Sequence, residues 1–322
     1  MERPLLEVRR LNVRYPFRGR WPWSRAGVVR AVEEINFNLY PGQTLGIVGE
    51  SGCGKSTLAR ALAGLQPVAS GAINYQGRDL ARLDRKAWRP LRRDIQMVFQ
   101  DPLASLSPRM TAGRIVAEPL RHLYPELGKA EREARALAML ERVGLSREHF
   151  NRRPHEFSGG QAQRIGIARA LVVQPKILIC DEPVSALDVS VQAQIINLLA
   201  ELQREYGLTM IFIAHDLAVV RHLSHRILVM YLGRMMEQAD RDMLFAAPAH
   251  PYTRALLSAI PSENGSPFAR QALEGEIPSP ASPPPGCVFA TRCPMADERC
   301  SRQPPHVQQL SGGTVAACHY LA

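Results

Sequence analysis

The 322-residue sequence predicts an α/β fold on a mainly parallel sheet covered on both faces. Three observations carry that expectation. Short apolar runs such as Ile177–Cys180 and Met210–Ala214 alternate with segments of helical periodicity. Residues Gly49–Thr57, GESGCGKST, fit the phosphate-loop pattern G-x-x-x-x-G-K-[ST] between an apolar run (Leu45, Ile47, Val48) and a helical segment. Residues Lys176–Pro183, KILICDEP, run four apolar residues into two acids, as a buried strand does when it delivers carboxylates to its end.

Taken in chain order, Leu5–Val13 and Val32–Leu39 alternate closely enough to read as strands. Between them Pro16–Gly27 is a Pro/Gly/Trp loop. Leu58–Leu65 is helical and Ile95–Phe99 a short strand. Residues 111–147 carry a helical pattern, including Lys129–Val143, and form a mostly helical insert between two sheet-forming halves. Gln161–Val173 is the next helix, then the strand Ile177–Cys180, the helix Val191–Tyr206, and the strands Met210–Ala214 and Ile227–Tyr231. Composition changes after about residue 245, and Ser279–Gly286 is too rich in proline for regular structure. With no internal repeat there is a single phosphate loop. The expected division is a domain over residues 1–245, with a helical subdomain at about 103–160, and a small cysteine-containing extension over 246–322.

Hydrophobic content of 46% with 22% charged residues is an ordinary soluble balance. No apolar run approaches the roughly 18–20 residues of a membrane span, and the N-terminus has no apolar core of a signal peptide, so a cytoplasmic chain is expected. The net charge is +10. Arg9, Arg10, Arg14, Arg18, Arg20 and Arg25, interleaved with Trp21 and Trp23, make the N-terminus basic. That suits a solvated surface or a membrane face; no reader motif accompanies it, so nucleic acid is not an expected partner.

The chemistry starts at the phosphate loop. Its glycines let backbone N–H groups turn inward onto phosphate oxygens, and the helix N-terminus behind adds positive partial charge. Lys55 is expected to reach the β/γ-phosphates and Ser56 to ligate Mg²⁺. Gly49, Ser51, Gly52, Cys53, Gly54 and Thr57 complete the loop. Asp181 would serve the same Mg²⁺ and Glu182 would polarise the attacking water. Some twenty residues earlier Ser158, Gly159, Gly160 and Gln161 open a helix and offer a second anion site. Two anion sites for one nucleotide imply a head-to-tail dimer, each chain covering its partner's nucleotide.

The phosphate loop, SGGQ and DEP, in this order and spacing, resemble the ABC (ATP-binding cassette) ATPases over residues 5 to about 240. The resemblance implies a P-loop NTPase fold of RecA-like type with a helical subdomain, ATP and Mg²⁺ as ligands, and ATP hydrolysis. It implies further roles. Gln100 matches the glutamine that senses Mg²⁺ and contacts a membrane subunit. Ser185 and Asp188 (SALD) match the loop that crosses the dimer. His215 matches the switch histidine near the γ-phosphate, and Tyr15 the aromatic that stacks on adenine. Phe157 in place of Leu, and Ala162 in place of Arg or Gln, depart from the pattern without removing a phosphate donor. A soluble ABC ATPase acting on ribosomes or DNA is the rival; it would carry two cassettes or a long coiled-coil insertion, and neither is evident.

Gln100–Arg109 (QDPLASLSPR), His250–Pro261 (HPYTRALLSAIP) and the tail from Glu274 to Pro294 are similar to the ATPase subunits of dipeptide and oligopeptide importers, with the nearest likeness among the F-type dipeptide ATPases. This implies two membrane permeases, a second homologous ATPase in a heterodimer, a periplasmic binding protein, and a peripheral place on the cytoplasmic face of the inner membrane. Nickel, glutathione and antimicrobial-peptide importers are similar too, so the solute is not fixed by this chain.

Cys287, Cys293, Cys300 and Cys318 follow at C-x5-C-x6-C-x17-C. A cytosolic setting disfavours disulfides, and four cysteines with little core around them suggest a structural metal. The gaps exceed zinc spacing, Cys293-Pro294 is similar to the ending of some iron–sulfur motifs, and the resemblance points to a [4Fe–4S] cluster. Zinc and free or oxidised thiols are the alternatives. Cys53 and Cys180 read as ordinary small residues, with Cys53 open to alkylation.

Overall fold

A computed structural model describes residues 3–17, 27–260 and 273–321. The chain forms two compact units, one of residues 1–39, 45–82 and 215–322, the other of residues 40–44 and 83–214.

The first unit carries an antiparallel sheet in the spatial order Gly27–Leu39, Leu6–Phe17, Ser70–Tyr75, Arg78–Asp79. Its inner face buries Leu6, Val8, Leu11, Val13, Ile35, Phe37 and Ile73. The alternation of Leu5–Val13 breaks at Arg10, whose φ of 43° marks a bulge. The Arg10 N–H donates to Asn36 Oδ1 at 2.8 Å, and Asn12 Nδ2 donates back to the Arg10 carbonyl at 2.7 Å. Within the same unit Leu45–Val48 pairs in parallel with Arg226–Val229. Arg234–Asp240 returns antiparallel to Arg226–Tyr231, and Val315–Ala316 pairs antiparallel with Arg234–Asp240 (Glu237 opposite Ala316). The end of the extension thus completes a sheet that contains the strand feeding the phosphate loop. Arg234–Asp240 was not read as a strand from sequence. It is buried on both faces from Met235 to Ala239 and so shows no alternation. Of the basic N-terminal residues, Arg9, Arg10 and Arg14 are exposed; Arg18, Arg20, Trp21, Trp23 and Arg25, with most of the Pro16–Gly27 loop, lie outside the described residues.

The second unit is built on three parallel strands in the order Thr209–Ala214, Ile177–Asp181, Ile95–Val98. Ile177 to Cys180 and Met210 to Ile213 are wholly buried, as expected of parallel strands covered on both faces. The helical insert is two helices, Ala112–Leu123 and Lys129–Arg142, rather than one run. The break falls at Tyr124 (φ −131°, ψ 67°), which precedes Pro125 and is thereby pushed out of helical conformation. Gly159–Leu171 and Val189–Tyr206 match the later helical expectations within two residues. No helix among the described residues is long and apolar enough to cross a membrane.

His250 ties the extension to the rest of the first unit. Its side chain is buried and its Nδ1 accepts from the Tyr252 N–H at 3.0 Å, capping the helix Pro251–Ser258. The Glu237 carboxylate accepts from the backbone of Ala249 at 2.8 Å and His250 at 2.9 Å. Burial pushes His250 down to about 4. The unfolded chain binds the proton near pH 6.5 and the folded one only near 4, so this contribution is complete above 6.5 and falls away on acidification to 4. That is about 3 kcal/mol, on the order of 1.4 kcal/mol for each unit of difference. Burial raises the Glu237 carboxyl, which works in the opposite direction and offsets part of the loss. In chemical denaturation at pH 7 and pH 4.5, His250→Asn should flatten the pH slope; an unchanged slope would remove His250 as its source.

Candidate nucleotide-binding and hydrolysis site

In the first unit the chain leaves the buried strand Thr44–Val48, turns through Gly49–Gly54 and enters the helix Lys55–Leu62. The helix begins three residues before the sequence expectation, directly at the lysine. Gly54 is the cap residue at φ 102°, and a Cβ there would lie 2.0 Å from the Ala31 carbonyl oxygen. Only glycine meets both the conformation and the approach. Ser51 and Gly52 are exposed, while Gly49, Cys53 and Lys55 are buried. Lys55 is 3% exposed, and its Nζ donates to the carbonyls of Gly49 at 2.7 Å and Glu50 at 3.0 Å. A buried ammonium needs such partners, and these are the ones it would exchange for phosphate oxygens. Ser56 and Thr57 are half-buried in the first helical turn, and Tyr15 is half-buried on the strand Leu6–Phe17. His215 is exposed, one residue before the Asp216 cap of the helix Leu217–Leu223.

Cys53 is 4% exposed and burial raises its thiol, so it is a poor target for alkylation, contrary to the sequence expectation. Burial also raises Cys180.

In the second unit the strand Ile177–Asp181 delivers Asp181, 1% exposed, and then Glu182. Glu182 adopts φ 45°, uncommon for a residue with a side chain, and its N–H donates to the Ile213 carbonyl at 3.1 Å. Its own carbonyl accepts from the Ser185 hydroxyl at 3.1 Å. Gln100 Nε2 donates to Glu182 Oε2 at 3.1 Å, so the fold joins two side chains read as catalytic from segments 82 residues apart. Ser158 and Gln161 form a capping box: the Ser158 N–H donates to Gln161 Oε1 at 3.0 Å and the Gln161 N–H to Ser158 Oγ at 3.3 Å. Of the expected anion donors, Gly159 and Gly160 are those the box does not use. A Cβ on Gly159 would meet Leu187 at 3.2 Å and one on Gly160 would meet Val191 at 2.5 Å, so the helix start packs closely on the segment bearing Ser185 and Asp188. Asp188 is exposed at the N-cap position of Val189–Tyr206.

Taken singly, the Ser56 hydroxyl in the first unit and the Asp181 carboxylate and Gln100 amide oxygen in the second are hard oxygen donors of the kind Mg²⁺ takes.

The tail cysteines are corrected. Cys287, Cys293, Cys300 and Cys318 all lie among the described residues, where no group of three or more His, Cys, Asp or Glu side chains is placed to hold a metal ion. They are free thiols, and burial raises Cys293 and Cys300 and pushes Cys287 up to about 11. Backbone bonds tie the segment instead: the Cys287 N–H donates to the Cys300 carbonyl at 2.7 Å. The [4Fe–4S] reading is thereby overturned, and zinc finds no better-placed ligand group among the described residues.

Sequence reading missed a second set of contacts on the phosphate loop. The Glu50 carboxylate receives Arg292 in a fork, Nη1 at 2.6 Å and Nη2 at 3.1 Å, and the Glu50 N–H donates to the Tyr252 hydroxyl at 3.0 Å. Tyr231, Tyr252 and Phe289 pack ring on ring beside this pair, with centroids 4.9 to 5.4 Å apart. The available signal was an acid inside an anion-binding loop, which calls for a cation somewhere in the chain.

Comparison with known proteins agrees. The sequence profile of the family described as "ABC transporter" matches residues 32–185, and that described as "Oligopeptide/dipeptide transporter, C-terminal region" matches residues 236–300. The chain is 54% identical over 306 residues to the oligopeptide transport ATP-binding protein OppF of Escherichia coli, covering 94% of this chain and 92% of that one. It is 52% identical over 319 residues to OppF of Haemophilus influenzae, covering 98% and 96%. A solved dimeric ATP-binding cassette in a post-hydrolysis state, bound to ADP and Pi, superposes with a TM-score of 0.66 at 31% identity, covering 73% of this chain and 98% of that one.

Proposed function

This chain belongs to the ABC transporter family, among ATP-binding subunits of the oligopeptide type, and on that premise we propose that its ATP hydrolysis drives import of short peptides through membrane permeases. The observation that carries the reading is the presence of both matches on one chain, the cassette at 32–185 and the oligopeptide/dipeptide C-terminal region at 236–300. We assign dipeptides as the finer substrate class. The assigned partners are two permeases, a second homologous ATPase and a periplasmic binding protein, and the assigned location is peripheral on the cytoplasmic face of the inner membrane.

The residue roles follow from the chemistry. Tyr15 stacks on the adenine. Lys55 and the loop amides from Gly49 to Thr57 take the phosphates, which replace the carbonyl partners of Lys55. Ser56, Asp181 and Gln100 are the residues that would hold Mg²⁺, which when bound neutralises charge on the β- and γ-phosphates. Glu182, with Gln100 on its carboxylate, orients water in line with the γ-phosphate, and His215 hydrogen-bonds there. The Ser158–Gln161 segment of a partner cassette closes over the nucleotide, Ser185 and Asp188 lying at that junction. Positioning and charge stabilisation supply most of the rate, and the cycle of closing and opening moves the permeases.

Deleting the gene from its native cell should abolish uptake of labelled dipeptides and tripeptides, with the intact gene restoring it. If peptide uptake persisted while nickel or glutathione uptake fell, the related importer would replace the peptide reading.

A further inference from the structure

Glu50 sits where electrostatics argues against an acid. It follows Gly49 in a loop whose N–H groups and Lys55 would face a triphosphate, and a bare carboxylate there would repel the ligand. In this fold it is not bare. Arg292, 242 residues later in the extension and with a side chain 5% exposed, holds both carboxylate oxygens. Its Nη1 also donates to the Tyr231 hydroxyl at 3.3 Å. Phe289, 1% exposed, packs against Tyr231 and Tyr252 and seats the segment that carries Arg292.

The pair also reaches the lysine. The Glu50 carbonyl accepts from Lys55 Nζ at 3.0 Å and from the Cys53 N–H at 3.2 Å, so a shift of Glu50 displaces atoms that hold Lys55. Tyr252, from the HPYT segment, fixes the Glu50 N–H. The extension therefore grips one residue of the loop by backbone and side chain together.

We propose that Arg292 is a positioning residue for the phosphate loop: through Glu50 it fixes the loop and cancels its negative charge, so docking of the C-terminal segment sets nucleotide affinity. The proposal rests on the reading that the loop binds ATP.

The test is equilibrium binding of a fluorescent ATP analogue to the full chain, with melting temperature recorded for each variant. Arg292→Gln should weaken binding roughly tenfold, the effect of one uncompensated charge near the phosphates. Adding Glu50→Gln to it should recover part of the lost affinity, because the repelling charge is then gone while the fork is still absent. Arg292→Lys should fall between, keeping the charge without the fork. In steady-state hydrolysis the change should appear in KM, with kcat within about threefold. Arg292→Gln binding within twofold of the unaltered chain would overturn the proposal, as would a double variant no tighter than the single. Should Arg292→Gln fail to fold, Arg292→Lys decides: it should weaken ATP binding by about threefold, and affinity equal to that of the unaltered chain would sink the idea. If the unaltered chain bound no ATP in this titration, the ATP reading would fail, before any variant was compared.

Discussion

Replacing Glu182 with Gln is expected to lower ATP turnover by about 10²- to 10⁴-fold, the range a positioned general base contributes. The change is close to isosteric, and the amide oxygen can still accept from Gln100 Nε2, which now lies 3.1 Å from the carboxylate. ATP binding should therefore survive and the ATP-bound closed dimer should accumulate. The backbone supports the assignment, because Glu182 is held at φ 45° by bonds to Ile213 and Ser185, and such strained positions concentrate at reacting centres. Phosphate release and gel filtration with ATP are the measurements. Turnover near the unaltered rate would mean that another group activates the water.

The second large effect is at Lys55. Lys55→Ala removes the donor to the Gly49 and Glu50 carbonyls and the cation proposed for the β/γ-phosphates. Truncating one partner of a buried charged pair costs roughly 2–5 kcal/mol, so ATP affinity should fall by about 30-fold to a few thousandfold. Lys55→Arg should not rescue it. The ammonium sits at 3% exposure between two carbonyls, and a planar guanidinium does not fit a pocket shaped for a point charge. Calorimetric titration with ATP decides; micromolar binding retained by Lys55→Ala would show that the loop amides suffice.

Much of this site was legible because its signals are local. The phosphate loop lies between an apolar strand and a helix within about twenty residues, and KILICDEP carries strand and acids in eight. The parallel strands were legible as unbroken apolar runs. Arg234–Asp240 was not, because it is buried on both faces yet contains Glu237 and Gln238, and the Glu237 carboxylate is satisfied only by the distant backbone N–H groups of Ala249 and His250. The break at Tyr124 was written in Pro125, but the helical periodicity on either side masked it. The Arg292–Glu50 fork was illegible because nothing local pairs positions so far apart. The four-cysteine reading failed for a related reason. Spacing and resemblance suggested ligands, while ligation needs three or more side chains placed around one point, and that placement is a property of the fold.

The first unit is assembled from three stretches of chain, residues 1–39, 45–82 and 215–322. A ribosome releases those stretches in order, with residues 83–214 emerging between them. At about 5–20 residues per second, roughly 5–20 seconds separate residue 215 from the end of the chain. Within that interval Tyr252 is synthesised first, then Arg292, and the strand Val315–Ala316 comes after both. The contacts that the extension makes on the phosphate loop are thus formed only after all the ATPase motifs have been synthesised. A chain cut short by premature termination or by proteolysis of its tail would keep every recognisable ATPase motif and lack the contacts that complete the loop.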